Sequence, residues 1–109
     1  MKSHRLIDAR SQAFGRAIAA RLTDEPELIA RARATLVRWL ATCSPRSRKP
    51  LEEWRAALDG PIDGVVALLT ADDERAIRLR QSNPFAGVLS QRERTAILRE
   101  FESYDAASA

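Results

Sequence analysis

The chain has 109 residues, 45% of them apolar and 30% charged, which is the composition of one ordinary globular domain. Its single cysteine excludes an internal disulfide and a zinc site built on several thiolates. The 18 basic and 15 acidic residues alternate along the chain, so the net charge of +3 does not by itself indicate a nucleic-acid-binding protein.

Two amphipathic helices are predicted in the first part of the chain. Apolar residues recur every three or four positions over about residues 5–22 and again over about residues 26–42, where Trp39 or Leu40 continues the buried stripe. We expect these to be the two longest helices of the domain. Small residues on the first helix form a candidate surface for packing against a second copy: Ala9, Ala13, Ala17 and Ala20.

Residues 44–50 are predicted to form a solvated basic loop. The segment holds two prolines, three positive charges and no apolar side chain, so it has nothing to contribute to a core. Its basic side chains are candidate contacts for nucleic acid, with weak and non-specific binding expected: Arg46, Arg48 and Lys49.

Three short helices are predicted next. The first runs from Pro50 to a stop at Gly60, and the second covers about residues 61–69. The run Val-Val-Ala-Leu-Leu in the second also fits a buried strand, but no second strand-like segment is present to pair with it. The third covers about residues 71–80, because acids fill its first turn and arginines its last.

An apolar loop and a final helix complete the chain. Residues 85–89 are predicted to tuck into the core as a structured loop. Ser90 and Glu93 have the spacing of a capping box, which predicts a sixth helix over about residues 91–104, followed by a frayed tail at 105–109. The sequence therefore predicts an all-α single domain, residues 1–109, with about six helices.

The residue types for catalysis are scarce. His4 and Cys43 are the only histidine and cysteine, and Cys43 ends an apolar stripe, so we favour a small core residue over a nucleophile. Asp72 and Asp73 have no further ligands near them in sequence, so helix capping explains them better than a metal site. We predict no catalytic residues, no metal and no cofactor, and hence no enzymatic activity.

The sequence also predicts a cytoplasmic protein. The N-terminus lacks the apolar core of a signal peptide, and no stretch approaches the roughly 20 apolar residues that span a bilayer.

The C-terminal part carries a resemblance. Residues 80–90, RQSNPFAGVLS, with Glu93-Arg94 and Ile97-Leu98 after them, resemble the signature of a group of small bacterial helical proteins associated with toxin-antitoxin gene pairs. The likeness extends upstream through Trp39, Trp54, Gly60-Pro61 and Asp72-Asp73-Glu74. Asn83 departs from the serine of that pattern, although both residues favour turns. The resemblance implies an antitoxin or immunity-like protein that neutralises an enzyme encoded beside it.

Arginines and an aromatic residue near the signature form the predicted partner surface, because both residue types commonly anchor protein interfaces. Its members are Arg75, Arg78, Arg80, Phe85 and Arg92. Three alternative interpretations remain at this point. In the first, the arginines form a solvated face paired with neighbouring acids. In the second, the protein is a nucleic-acid-binding regulator, and in the third it is a helical homodimer.

Overall fold

Six helices form the computed structural model, in the order α1 (Lys2–Asp24), α2 (Leu28–Thr42), α3 (Pro45–Asp59), α4 (Ile62–Thr70), α5 (Glu74–Arg80) and α6 (Gln91–Ser108). The structure describes the backbone of residues 2–85 and 87–108 and the side chains of residues 8–85 and 87–101. No strand occurs within those ranges, so the all-α prediction is confirmed. The longest helices are α1 with 23 residues and α6 with 18, whereas α2 has 15, so the prediction that the two longest are N-terminal is wrong for α2.

The apolar helix α4 lies against α1, α3 and α5, and α6 covers α1 from another side. Val65, Leu68 and Leu69 of α4 are buried, which confirms the helical interpretation of this segment over a strand. The rings of Trp54 and Phe85 meet edge to face with centroids 6.2 Å apart. The buried indole Nε1–H of Trp54 donates to the Leu79 carbonyl at 2.6 Å, which satisfies its polar atom inside the core.

Gly15 lies where α1 and α4 cross. A Cβ at this position would lie 2.7 Å from the Leu69 carbonyl carbon and closer still to its oxygen. Glycine at residue 15 therefore allows two helix backbones to approach more closely than any side chain permits.

The prediction of a basic loop at residues 44–50 is wrong, because residues 45–50 form the first turns of α3. The Ser44 hydroxyl accepts the Ser47 N–H at 3.3 Å, and Pro45 occupies the first helical position. Pro50 lies inside the helix, where its lack of an N–H removes only the bond to the Arg46 carbonyl. Burial of Trp54 and two leucines further along α3 stabilises the whole helix.

Local capping sets the starts of the last two helices. The Asp73 carboxylate accepts the Ala76 N–H at 2.8 Å, so α5 begins at Glu74, three residues later than predicted. Ser90 and Glu93 form the predicted capping box, with bonds of 3.1 and 2.9 Å.

The last helix is longer than predicted. It continues to Ser108, beyond the predicted end at about residue 104, and residue 109 lies outside the described residues. Fraying of residues 105–109 stays a prediction. The segment Asp-Ala-Ala-Ser contains no glycine or proline to stop a helix, and alanine favours its continuation.

Candidate functional site

Two members of the predicted partner surface lie inside the domain. Phe85 has 0% of its surface exposed and packs on Trp54, and Arg80 has 6% exposed. The prediction that Phe85 is at least partly buried is confirmed. Neither side chain can anchor a partner at the surface, because doing so would require opening the core.

Arg80 binds the carbonyl end of α4. Its Nη1 donates to the carbonyls of Leu68 at 3.0 Å and Ala71 at 2.6 Å, and its Nε donates to the Ser11 hydroxyl at 3.1 Å. Burial lowers the pKa of the Arg80 guanidinium, and the charges of Asp73 and other acids oppose that shift. A guanidinium that satisfies the last carbonyls of a helix has a structural role.

Arg75 and Arg78 are exposed and paired with Glu53 of α3. The Arg78 Nη1 lies 3.0 Å from Glu53 Oε2, and the Arg75 Nε lies 3.8 Å from Oε1. The hydrogen bond from Arg78 lowers the pKa of Glu53 and raises that of Arg78. These two arginines therefore fit the interpretation as a solvated, paired face. Glu53 lies 22 positions before Arg75 and 25 before Arg78 in the sequence, so no local sequence pattern indicates this pairing.

Arg92 is exposed on the first turn of α6. Its neighbour Glu93 contacts Arg21 of α1 at 3.1 Å and not the arginines of α5. The five predicted partner residues are thus divided between the core, the Glu53 cluster and α6, and they do not form one surface.

The candidate nucleic-acid contacts lie together on the first turns of α3. Arg46, Arg48 and Lys49 are all exposed. Arg48 lies 3.8 Å from Glu52, and its Nη2 also donates to the Leu40 carbonyl at the end of α2, at 3.5 Å. The basic side chains are therefore presented by a helix start next to the end of α2.

An open groove of about 480 Å³ lies between the end of α2, the start of α3 and the turn after α5. Trp39, Leu51 and Cys43 provide apolar lining, and the polar turn of residues 81–83 provides the opposite side. Trp39 is 37% exposed, one of three large apolar residues so exposed among those the structure describes. The sequence did not decide whether Trp39 or Leu40 continues the buried stripe of α2. In the structure Leu40 is half-buried.

The turn beside this groove is built locally. The Asn83 side-chain oxygen accepts the Phe85 N–H at 2.9 Å, an arrangement that short polar side chains make in turns. Asn83, which stands where the antitoxin-like pattern has serine, therefore leaves the turn intact. This turn directs Phe85 into the core and leaves Gln81 exposed.

Cys43 is half-buried in the groove, where its thiol lies 3.7 Å from the Leu40 carbonyl. The side chain of His4 lies outside the described residues. Within the described part of the chain, no group of three or more histidine, cysteine or acidic residues is placed to hold a metal ion. None of the helices there has the length and apolar character needed to cross a membrane.

The alanine face proposed for a homodimer is mostly covered. Ala9, Ala13 and Ala17 are half-buried, and Ala17 packs on the core, so only Ala20 of this set is exposed.

No family model matches this chain, and comparison with curated proteins and with solved structures found no match.

Proposed function

We propose that this protein binds a segment of a partner protein in the Trp39 groove and acts as an antitoxin-like neutraliser of an enzyme encoded beside it. One observation carries the proposal. Trp39 and residues 80–83, which are separate parts of the resemblance to antitoxin-like proteins, line the same groove. They are about forty positions apart in the sequence and meet only through the fold.

The chemistry of the groove favours a protein segment as its occupant. Tryptophan is one of the residue types enriched among interface anchors, and Trp39 keeps over a third of its surface available. Leu51 and Cys43 extend the apolar lining, while Gln81 and Ser82 bring hydrogen-bonding groups for a peptide backbone.

The positive charge next to the groove favours one kind of partner segment. Ser47 lines the groove, and its neighbours Arg46 and Arg48 are exposed on the same helix start. Basic groups beside an apolar site favour partners in which acidic residues flank an apolar anchor. We therefore expect a partner segment with an apolar side chain for the groove and acidic residues for the α3 end.

Growth rescue tests the proposal. The product of the neighbouring gene should arrest growth when expressed alone, and co-expression of this protein should restore it. Trp39→Ala should abolish rescue while the protein remains folded by circular dichroism, although loss of the buried part of the ring lowers the melting temperature. The matched control is Ile62→Ala, because Ile62 is 44% exposed and does not line the groove. Full rescue by Trp39→Ala, or a harmless neighbouring product, would overturn the proposal.

Nucleic-acid binding is the second candidate function. Arg46, Arg48 and Lys49 surround the Ser44-capped start of α3, and helix N-termini favour phosphate groups. Binding to duplex DNA should then weaken steeply with salt, by counterion release, and fall further in Arg46→Gln. Sequence-specific binding at physiological salt would move this function to first place.

A further inference from the structure

A second cleft, separate from the Trp39 groove in most of its lining, contains three arginines. It has a volume of about 310 Å³ and lies between α1, the end of α5 with its following loop, and α6. Its lining residues are Arg10, Ser11, Phe14, Ile18, Arg80, Asn83, Leu89 and Arg94. No carboxylate is among them, so the lining carries three positive charges and no negative one.

Arg10 is the first argument for a ligand. Its Nε is buried and has no hydrogen-bond partner among the described residues. Buried donors in native proteins are nearly always satisfied, and each exception requires an explanation. Arg10 also lines the cleft, so a rotation of its side chain would bring this donor to an acceptor oxygen of a ligand there.

Arg80 and Arg94 supply the other charges. The hydrogen bonds of Arg80 to Ser11, Leu68 and Ala71 use Nε and Nη1, and none of them uses Nη2. The Arg94 guanidinium lies over the Phe14 ring, 5.4 Å from its centroid, which holds its charge beside the cleft.

Three acids near Arg80 weaken the positive field of the cleft. Asp73, Asp8 and Asp72 act on Arg80 electrostatically, yet none of them lines the cleft. The lining itself therefore presents three guanidinium groups and no carboxylate.

From these observations we propose that the cleft binds a small organic phosphate monoester. Guanidinium groups match phosphate oxygens with paired N–H donors, and a phosphate dianion balances more of the positive charge than a carboxylate does. Phe14, Ile18 and Leu89 form an apolar lining for the organic part, and the volume is at the small end of the range for small-molecule sites. This inference is independent of the proposed partner function, because it concerns a different cleft.

Thermal unfolding and calorimetric titration with phenyl phosphate test the proposal. Phenyl phosphate should raise the melting temperature above that in sodium chloride of the same ionic strength, because it binds only the folded state. Inorganic phosphate, which lacks the ring, and benzoate, which lacks the dianion, should both bind more weakly. Equal binding of either compound would overturn the proposal.

Variants at the arginines complete the test. Arg10→Met removes the unpartnered donor, so the melting temperature of the ligand-free variant should not fall. The affinity of this variant for phenyl phosphate should drop about tenfold or more. Arg94→Gln, at an exposed side chain, is the second variant should Arg10→Met fail to fold, and the same loss is expected. Arg99→Gln is the matched control, since Arg99 is exposed on α6 and does not line the cleft. Undiminished binding in a folded Arg10→Met or Arg94→Gln protein would refute the site.

Discussion

Replacement of Gly15 by alanine tests the close crossing of α1 and α4. The new Cβ would lie 2.7 Å from the Leu69 carbonyl carbon and 3.3 Å from its Cα, whereas carbon atoms normally pack at about 3.5–4.0 Å. Both contacted atoms belong to the backbone, so no rotamer change relieves them. The helices must separate until the contacted atoms reach ordinary packing distances, which loosens the contacts of Leu69 and Ile18, both almost fully buried.

The expected magnitude follows from two opposing terms. Overpacking a tight core costs about 1–3 kcal/mol and sometimes more, and this crossing is tight enough to lie at the upper end. The intrinsic helix preference for alanine over glycine returns about 1 kcal/mol. Gly15→Ala should therefore lower the free energy of unfolding by about 2 kcal/mol, which corresponds to a melting temperature about 10 °C lower.

Gly64 is the matched control, because it lies in α4, is exposed, and would place a Cβ with nothing within 4 Å. Gly64→Ala should stabilise the protein by about 0.5–1 kcal/mol. Urea unfolding followed by far-ultraviolet circular dichroism measures both variants. A Gly15→Ala protein as stable as the wild type would refute the close crossing, and a destabilised Gly64→Ala would refute the reasoning on helix preference.

Three further predictions concern buried and paired side chains. Arg80→Ala leaves the Leu68 and Ala71 carbonyls without their donor and should cost about 2–3 kcal/mol in urea unfolding, so unchanged stability would contradict the structural role of this arginine. Phe85→Ala should cost about 3–5 kcal/mol, since the ring is fully buried, and a nearly unchanged melting temperature would instead indicate an interface anchor. Glu53 has a lowered pKa in the folded state because of Arg78, so its stabilising effect is present above the pKa of an unfolded glutamate and disappears as the pH falls through the folded value. Glu53→Gln should accordingly cost about 0.5–1 kcal/mol near pH 7 and almost nothing near pH 3, whereas an equal loss at both would contradict the ion pair.

Features that depend on neighbours in sequence were predictable. The Ser90–Glu93 capping box and the helical α4 follow from residues within one or two turns. The segment 44–50 shows the limit of that approach. Its prolines and charges are typical of a loop, but Ser44 and Pro45 are also helix-start residues, and burial of Trp54 decides between the two.

The site could be predicted only in part, because burial of a side chain depends on distant contacts. Arg80 resembles a surface arginine until the fold places the carbonyls of Leu68 and Ala71 and the hydroxyl of Ser11 around it. Trp39 lies at the edge of an apolar stripe, where the periodicity of α2 alone does not determine exposure. The groove exists only because the turn after α5 approaches the end of α2, and no local pattern encodes that approach.

The most direct test of the proposed function is a calorimetric titration of the neighbouring gene's product into wild-type protein, Trp39→Ala and Ile62→Ala. With both variants folded by circular dichroism at the titration temperature, Trp39→Ala should weaken binding by about 2 kcal/mol or more, roughly thirtyfold in Kd. Ile62→Ala should bind as the wild type does, because Ile62 is exposed away from the groove lining. Wild-type affinity in a folded Trp39→Ala protein would contradict the proposal that this groove holds the partner.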